Sequence, residues 1–279
     1  MNPHAAHSAS LFSLFSSLWQ HRQLIAQMTK REVIGRYRGS ALGLAWSFLN
    51  PLLMLSVYTF VFSVVFKSRW GSVASGAEQS QALFAIMLFV GLIVHGIFAE
   101  VINRSPSLIV SNVNYVKKVI FPIEVMPVIS MGAALFHSMV SLLVLMVAYT
   151  IFLGIPHWTA VFLPIIFTPL IILTLGLSWI LASLGVFLRD VGQTVGIITT
   201  VMLFLSPVFF PLSALPEKFQ PMLMANPLTF IIEQSRNVLV EGYVPDMQGL
   251  LIYFIGSLVV AWLGFAWFQK TRKGFADVL

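Results

Sequence analysis

Six apolar stretches of roughly membrane-spanning length divide the chain, separated by short polar or basic gaps: Leu42 to Phe66, Ala82 to Val101, Val125 to Leu153, Trp158 to Leu188, Val191 to Phe210 and Gly249 to Phe268. A hydrocarbon core about 30 Å thick takes about 20 helical residues, and these runs lack the alternation of a barrel strand. Backbone amides in lipid must be satisfied within their own segment, so helices follow. The pattern therefore predicts an all-α polytopic membrane protein with six transmembrane helices. Ahead of them Leu11, Phe15, Leu18, Ile25 and Met28 recur at helical spacing against Ser13, Ser16, Ser17, Gln20, Gln23 and Gln27. Residues 11–34 thus read as an N-terminal interfacial amphipathic helix following a flexible tail, 1–10, with the six-helix domain over 35–279. A helix packed on the bundle would carry the same stripe.

Proline breaks the pattern before the last run. Pro207, Pro211, Pro216, Pro221, Pro227 and Pro245 cut the stretch 207–246 into apolar pieces too short to span, such as Phe219 to Met224 and Leu228 to Val240. Short re-entrant helices in an extracytoplasmic gate segment are expected there, because irregular backbone at membrane depth survives only under cover of protein or in a wet cavity. On the other side, the long gap at about 104–122 mixes apolar and basic residues and suits a short helix docking a soluble partner. Gly35, Gly39 and Gly43 lie four apart, which is either a smooth helix stripe for close packing or a flexible turn.

Composition sharpens the class. With 58% hydrophobic residues, 9% charged ones and a mean hydropathy of +0.91, the chain is too apolar for a soluble domain. If both termini face the cytoplasm, Arg22, Lys30, Arg31, Arg36, Arg38, Arg104, Lys117, Lys118, Arg189, Lys270, Arg272 and Lys273 fall on that side. Lys67, Arg69, Lys218 and Arg236 fall opposite, a division of 12 against 4 among the 16 cations. The positive-inside bias therefore predicts cytoplasmic N- and C-termini. The net charge of +6 follows from this threading, so nucleic acid is not an expected partner. The first cation, Arg22, follows no apolar core with a cleavage site, and the first span is expected to direct insertion. Cysteine is absent, which removes disulfides and thiolate metal sites.

Catalytic chemistry finds little to stand on. None of the 18 glycines precedes a lysine, so no phosphate-cradling loop for ATP is present. His95 and Glu100 are five residues apart, about 140° round a helix, and His137 stands alone on the third span. Hydrogen bonding between helices, or a position near an interface, is the reading preferred for these three over a catalytic or metal role, and no metal is expected. Aromatic residues gather as Tyr58, Phe60, Phe62 and Phe66 on the first span and Phe204, Phe209 and Phe210 on the fifth. Such rings can slide along sugars, although lipid-facing bulk and interfacial belts account for most membrane aromatics.

The order of several motifs goes further. Arg36-Tyr37-Arg38-x-Ser40-x-Leu42-Gly43-x-x-Trp46 with Asn50-Pro51-Leu52 resembles the start of the ABC-2 type permeases that export bacterial surface polysaccharides. The likeness continues through Phe121-Pro122-x-Glu124-Val125-x-Pro127, Arg189-Asp190, Ser206-Pro207-Val208-x-x-Pro211, Asn226-Pro227 with Arg236 and Gly242, and Phe275-Ala276-Asp277. It covers almost the whole chain; Lys30-Arg31-Glu32-Val33 departs from the family's more usual basic-acidic-leucine start.

This resemblance implies a non-enzymatic half-transporter of the bacterial inner membrane, a homodimer bound by two copies of a separate ABC ATPase that carries ATP and Mg. It implies export of a lipid-linked glycan such as an O-antigen, with Tyr58, Phe60, Phe62, Phe66, Phe204, Phe209 and Phe210 along the channel. Coupling to the ATPase would fall on Ser111, Asn112, Asn114, Tyr115, Lys117 and Lys118. Arg36 and Arg38 become candidates for the lipid phosphate, or simple topology anchors. A drug or lipid efflux permease would share the fold, and a membrane-embedded transferase is the reading that would need His95, Glu100 or His137.

Overall fold

A computed structural model describes residues 10–61, 77–116 and 121–279, and among these every regular element is helical. Helix α1 (Leu11–Gln20) and α2 (Arg22–Tyr37) precede α3 (Ala45–Thr59) and α4 (Ala77–Arg104). A single turn, α5 (Val113–Val116), leads to α6 (Met126–Phe152), α7 (Leu163–Phe187) and α8 (Val191–Phe204). Two short helices, α9 (Gln220–Met224) and α10 (Pro227–Arg236), come before α11 (Met247–Thr271) and the terminal turn α12 (Phe275–Val278).

Four helical stretches among the described residues are long and apolar enough to cross a membrane: Ala82–Ser107, Ile123–Phe152, Trp158–Phe187 and Met247–Val278. The chain is a multi-pass membrane protein. Helix α3 runs to the edge of the described residues, so the far end of the run Leu42 to Phe66 lies outside them. Helix α8 is shorter than its apolar run, stopping at Phe204 with turns over Leu205–Phe210. Its 14 residues reach about 21 Å, less than a hydrocarbon thickness. Pro207 lacks the amide that another turn would use, which accounts for the stop.

The bundle is held by close backbone approaches. At Gly176 of α7 a Cβ would stand 2.7 Å from the backbone of Ala261 in α11, and Gly264 of α11 meets Gly176 in return. Small residues let two helices touch where apolar bulk gains nothing over lipid. The larger core lies between α4, α6, α7 and α10, around Val94, Ile97, Val101, Leu145, Ile166 and Ile231. A second, smaller core gathers Leu14, Ile109, Ile123, Met126, Trp179, Phe265, Phe268 and Phe275 at the end where α1 and α12 come together.

The N-terminal stripe resolves into two helices and two faces. Ser10 caps α1 by accepting from the Phe12 amide at 3.1 Å, and the helix direction resets at His21, where residues 11–34 were expected to run on. Leu14 turns inward to the smaller core, while Phe12, Phe15 and Trp19 remain 81%, 66% and 63% exposed. The helix is therefore packed on the bundle and also presents a wholly apolar outer edge. The glycine stripe takes its turn alternative: Gly39 and Gly43 have φ of +86° and +53°, beyond the end of α2, with open space where a Cβ would point. Of the predicted tail, 1–10, residues 1–9 lie outside the described residues, and Ser10 is the cap of α1.

Candidate functional site

Helix α2 carries a cluster of charge against the ends of α4 and α6. Thr29 presses against Gly132, where a Cβ would come within 2.8 Å of its side chain, and this fixes α2 across α6. One turn on, Glu32 pairs with Arg104 at the end of α4. Arg36 then reaches the carboxylate of Glu100 at 2.9 Å, and the same carboxylate is 2.9 Å from Nδ1 of His137. Tyr37 sets its ring edge-on to His137 at 6.0 Å. Burial pushes the Tyr37 hydroxyl above its ordinary pKa, opposed by the neighbouring Arg36 charge.

His137, alone on its span by sequence, is thus one of three polar groups that three helices bring together. His95 goes elsewhere, its Nε2 lying 3.1 Å from the Thr199 carbonyl of α8. The separation of His95 from Glu100 read from helical spacing is realised, and each of the three residues makes a hydrogen bond between helices, one of the two preferred readings.

A cavity of about 780 Å³ opens over this cluster, lined by Lys30, Arg31, Arg36, Arg38 and Arg104, with Glu32 as the acidic residue of its wall. Arg36 also lines a second cavity of about 340 Å³ that runs between α3, α4 and α6 past Asn50, Tyr58, Glu100 and His137. Five guanidinium or ammonium groups against one carboxylate make the first cavity a trap for anions, since Arg and Lys offer donors only. Arg36 is engaged by Glu100, whereas Arg38 is exposed and makes no ion pair among the described residues.

The remaining predicted site residues scatter more widely. Tyr58 is half-buried in the second cavity, while Phe60 is 59% exposed on the α3–α6 groove. Phe204 stacks on Phe209 with ring centroids 5.5 Å apart, and Phe210 is half-buried beside them. Phe62, Phe66, Lys117 and Lys118 lie outside the described residues. Of the segment after α4, Ser111 and Asn114 are exposed, Asn112 donates to the Leu108 carbonyl at 2.9 Å, and Tyr115 stacks on Phe121 at 4.5 Å. This segment is anchored at its start, where the Ser105 hydroxyl meets Ser178 at 2.6 Å and Pro106 fills the space above Gly185.

At the other end of the bundle, α9 and α10 form the compact replacement for the proline-cut stretch. Asn226 caps α10 by accepting from the Leu228 amide at 2.9 Å, and its Nδ2 donates to the Leu205 carbonyl at 3.1 Å, just past the end of α8. Arg236, 1% exposed, donates from Nε to the Met87 carbonyl and from Nη2 to the Val208 carbonyl, each at 3.0 Å, and pairs with Glu233.

Comparison with known sequences places this architecture. A model of the family described as ABC-2 type transporter matches residues 23–240. The chain belongs to the ABC-2 type transporter family. Among relatives of this ABC-2 protein, the O-antigen export system permease protein RfbA of Myxococcus xanthus is 30% identical over 269 residues, covering 96% of this chain and 99% of that one. A protein of the same name from Klebsiella pneumoniae is 26% identical over 92% of the chain and 95% of its own length. The polysialic acid transport protein KpsM of Escherichia coli is 25% identical over 87% and 91%. The motifs that suggested the family thus sit on the cation cluster, the Glu124 turn and the α9–α10 hairpin of an ABC-2 permease. Two features needed the structure: the meeting of Glu100 with His137, and the bonds made by Glu124.

Proposed function

We propose that this chain is the transmembrane subunit of an ATP-driven exporter of a lipid-linked, O-antigen-like polysaccharide in the bacterial inner membrane. The observation that carries the reading is similarity along nearly the whole chain to an O-antigen export permease, 99% of which is matched. Six spans with both termini cytoplasmic complete the proposal, the apolar run Leu42 to Phe66 serving as the first and α8 as a short fifth. The 12-to-4 cation bias supports that threading. Two copies would form the channel, and two copies of a separate ABC ATPase, carrying ATP and Mg, would bind around Ser111 to Lys118. Differential affinity of ATP for the two states of that assembly supplies the drive.

The cationic cavity under α2 suits the phosphate groups of the lipid carrier at the cytoplasmic entrance, with Arg38 as the freer contact and Arg36 held by Glu100. Aromatic rings at Tyr58, Phe60, Phe204 and Phe209 suit passage of sugar rings, which stack without demanding one register. The deciding experiment is gene deletion followed by analysis of lipid extracts and cell surface. Loss of surface polymer with accumulation of the lipid-linked form inside is expected. Surface polymer unchanged, with altered sensitivity to drugs, would instead mark an efflux permease of the same fold.

A further inference from the structure

Glu124 lies in the turn Ile123–Val125, between the end of the segment after α4 and the start of α6, and is 7% exposed. Three distant parts of the chain meet on it. Ser17 of α1 donates to Oε1 at 3.1 Å, Arg272 beyond α11 donates to Oε2 at 2.9 Å, and Trp179 of α7 donates from Nε1 to the Glu124 carbonyl at 3.0 Å. The smaller apolar core surrounds this point, with Leu14 from α1, Ile109 from the segment after α4, and Phe268 and Phe275 from the C-terminal end. Apolar side chains of similar volume would hold such a junction at least as firmly, because a buried ion pair returns little more than its desolvation cost. What the charges add is one fixed arrangement of the joined segments.

We propose that Glu124 is a positioning residue of the exporter, with Arg272 as its partner. It ties the segment after α4, helix α1 and the C-terminal segment into one lever, so that a push on the first carries the other two. This inference rests on the exporter reading and adds to it a site of transmission built from α1 and the C-terminal segment.

The test uses the full exporter with its ATPase in vesicles, measuring ATP hydrolysed and polymer exported in the same sample. Glu124→Gln keeps the volume and the acceptor for Ser17 and removes the charge that holds Arg272. Assembly and hydrolysis are expected to persist while export per ATP falls about tenfold, within the range of ordinary coupling energies. An unchanged ratio, or an equal fall of export and hydrolysis in assembled complexes, overturns the role of Glu124. Should that variant not assemble, Ser17→Ala decides: it deletes one hydrogen bond on half-buried α1 and is expected to lower export per ATP about threefold, and an unchanged ratio overturns the inference. A wild-type protein that neither binds an ATPase nor exports overturns the exporter reading itself, which is distinguishable from a working exporter whose variants keep the wild-type ratio.

Discussion

A guanidinium holds its five donors in a planar fork, and Arg236 spends that fork on two backbone carbonyls from separate segments and on the Glu233 carboxylate. Lysine carries a point charge on a flexible stem and cannot reach three acceptors in that plane. Arg236→Lys is therefore expected to destabilise the protein nearly as much as Arg236→Ala. Each leaves buried acceptors unmatched at a cost of about 1–3 kcal/mol, and a loss of about 3 kcal/mol overall is expected. Thermal unfolding in detergent should show it as a fall of about 6 °C at roughly 2 °C per kcal/mol for a chain this long. A lysine variant with the wild-type melting temperature would mean that charge alone, and not the fork, holds the α9–α10 hairpin against α4. The Arg36–Glu100 pair is a weaker case at the same scale, since Arg36 is 43% exposed and solvent screens most of its attraction.

Elements were legible from sequence in proportion to how local their causes are. Long apolar runs gave α4, α6, α7 and α11, and the prolines of 207–246 marked where helices must be short. The end of α8 at Phe204 follows from Pro207, a signal present in the sequence but outweighed there by the apolar run continuing to Phe210. Pairing was not legible: Glu100 and His137 are 37 residues apart, and Glu124 and Arg272 are 148 apart, whereas helical periodicity relates only residues within a few turns. The α7–α11 contact was hidden for the same reason, since Gly176 and Gly264 sit on helices far apart in sequence. That contact carries an element-scale prediction. A Cβ at Gly264 would overlap the Gly176 backbone, so Gly264→Ala should force the helices apart at a cost of about 1–3 kcal/mol. Gly256→Ala, with open space around it on the same helix, serves as the control and should leave thermal stability unchanged.

Across the whole molecule, charge is distributed so that one end of the bundle collects cations in a cavity while the other buries Arg236 among carbonyls. Charge at the first end could serve insertion alone, because basic residues there orient the spans whatever else they do. The two roles separate under substitution. Lys30→Gln with Arg38→Gln removes two of the five cavity cations but leaves Arg36, Arg104 and their carboxylate partners in place. In the proposed threading ten cytoplasmic cations then still face four on the opposite side, so that threading should hold, as reporter fusions after Ser111 and after Lys218 would check. If the cavity receives lipid phosphate, export should fall about tenfold, as expected for losing 1.4 kcal/mol of charge-assisted contact, and the loss should deepen with added salt as the remaining charges are screened. Unchanged export with unchanged topology would leave these residues as anchors of orientation, and the phosphate contact would have to be sought along the second cavity, beside Asn50 and Tyr58.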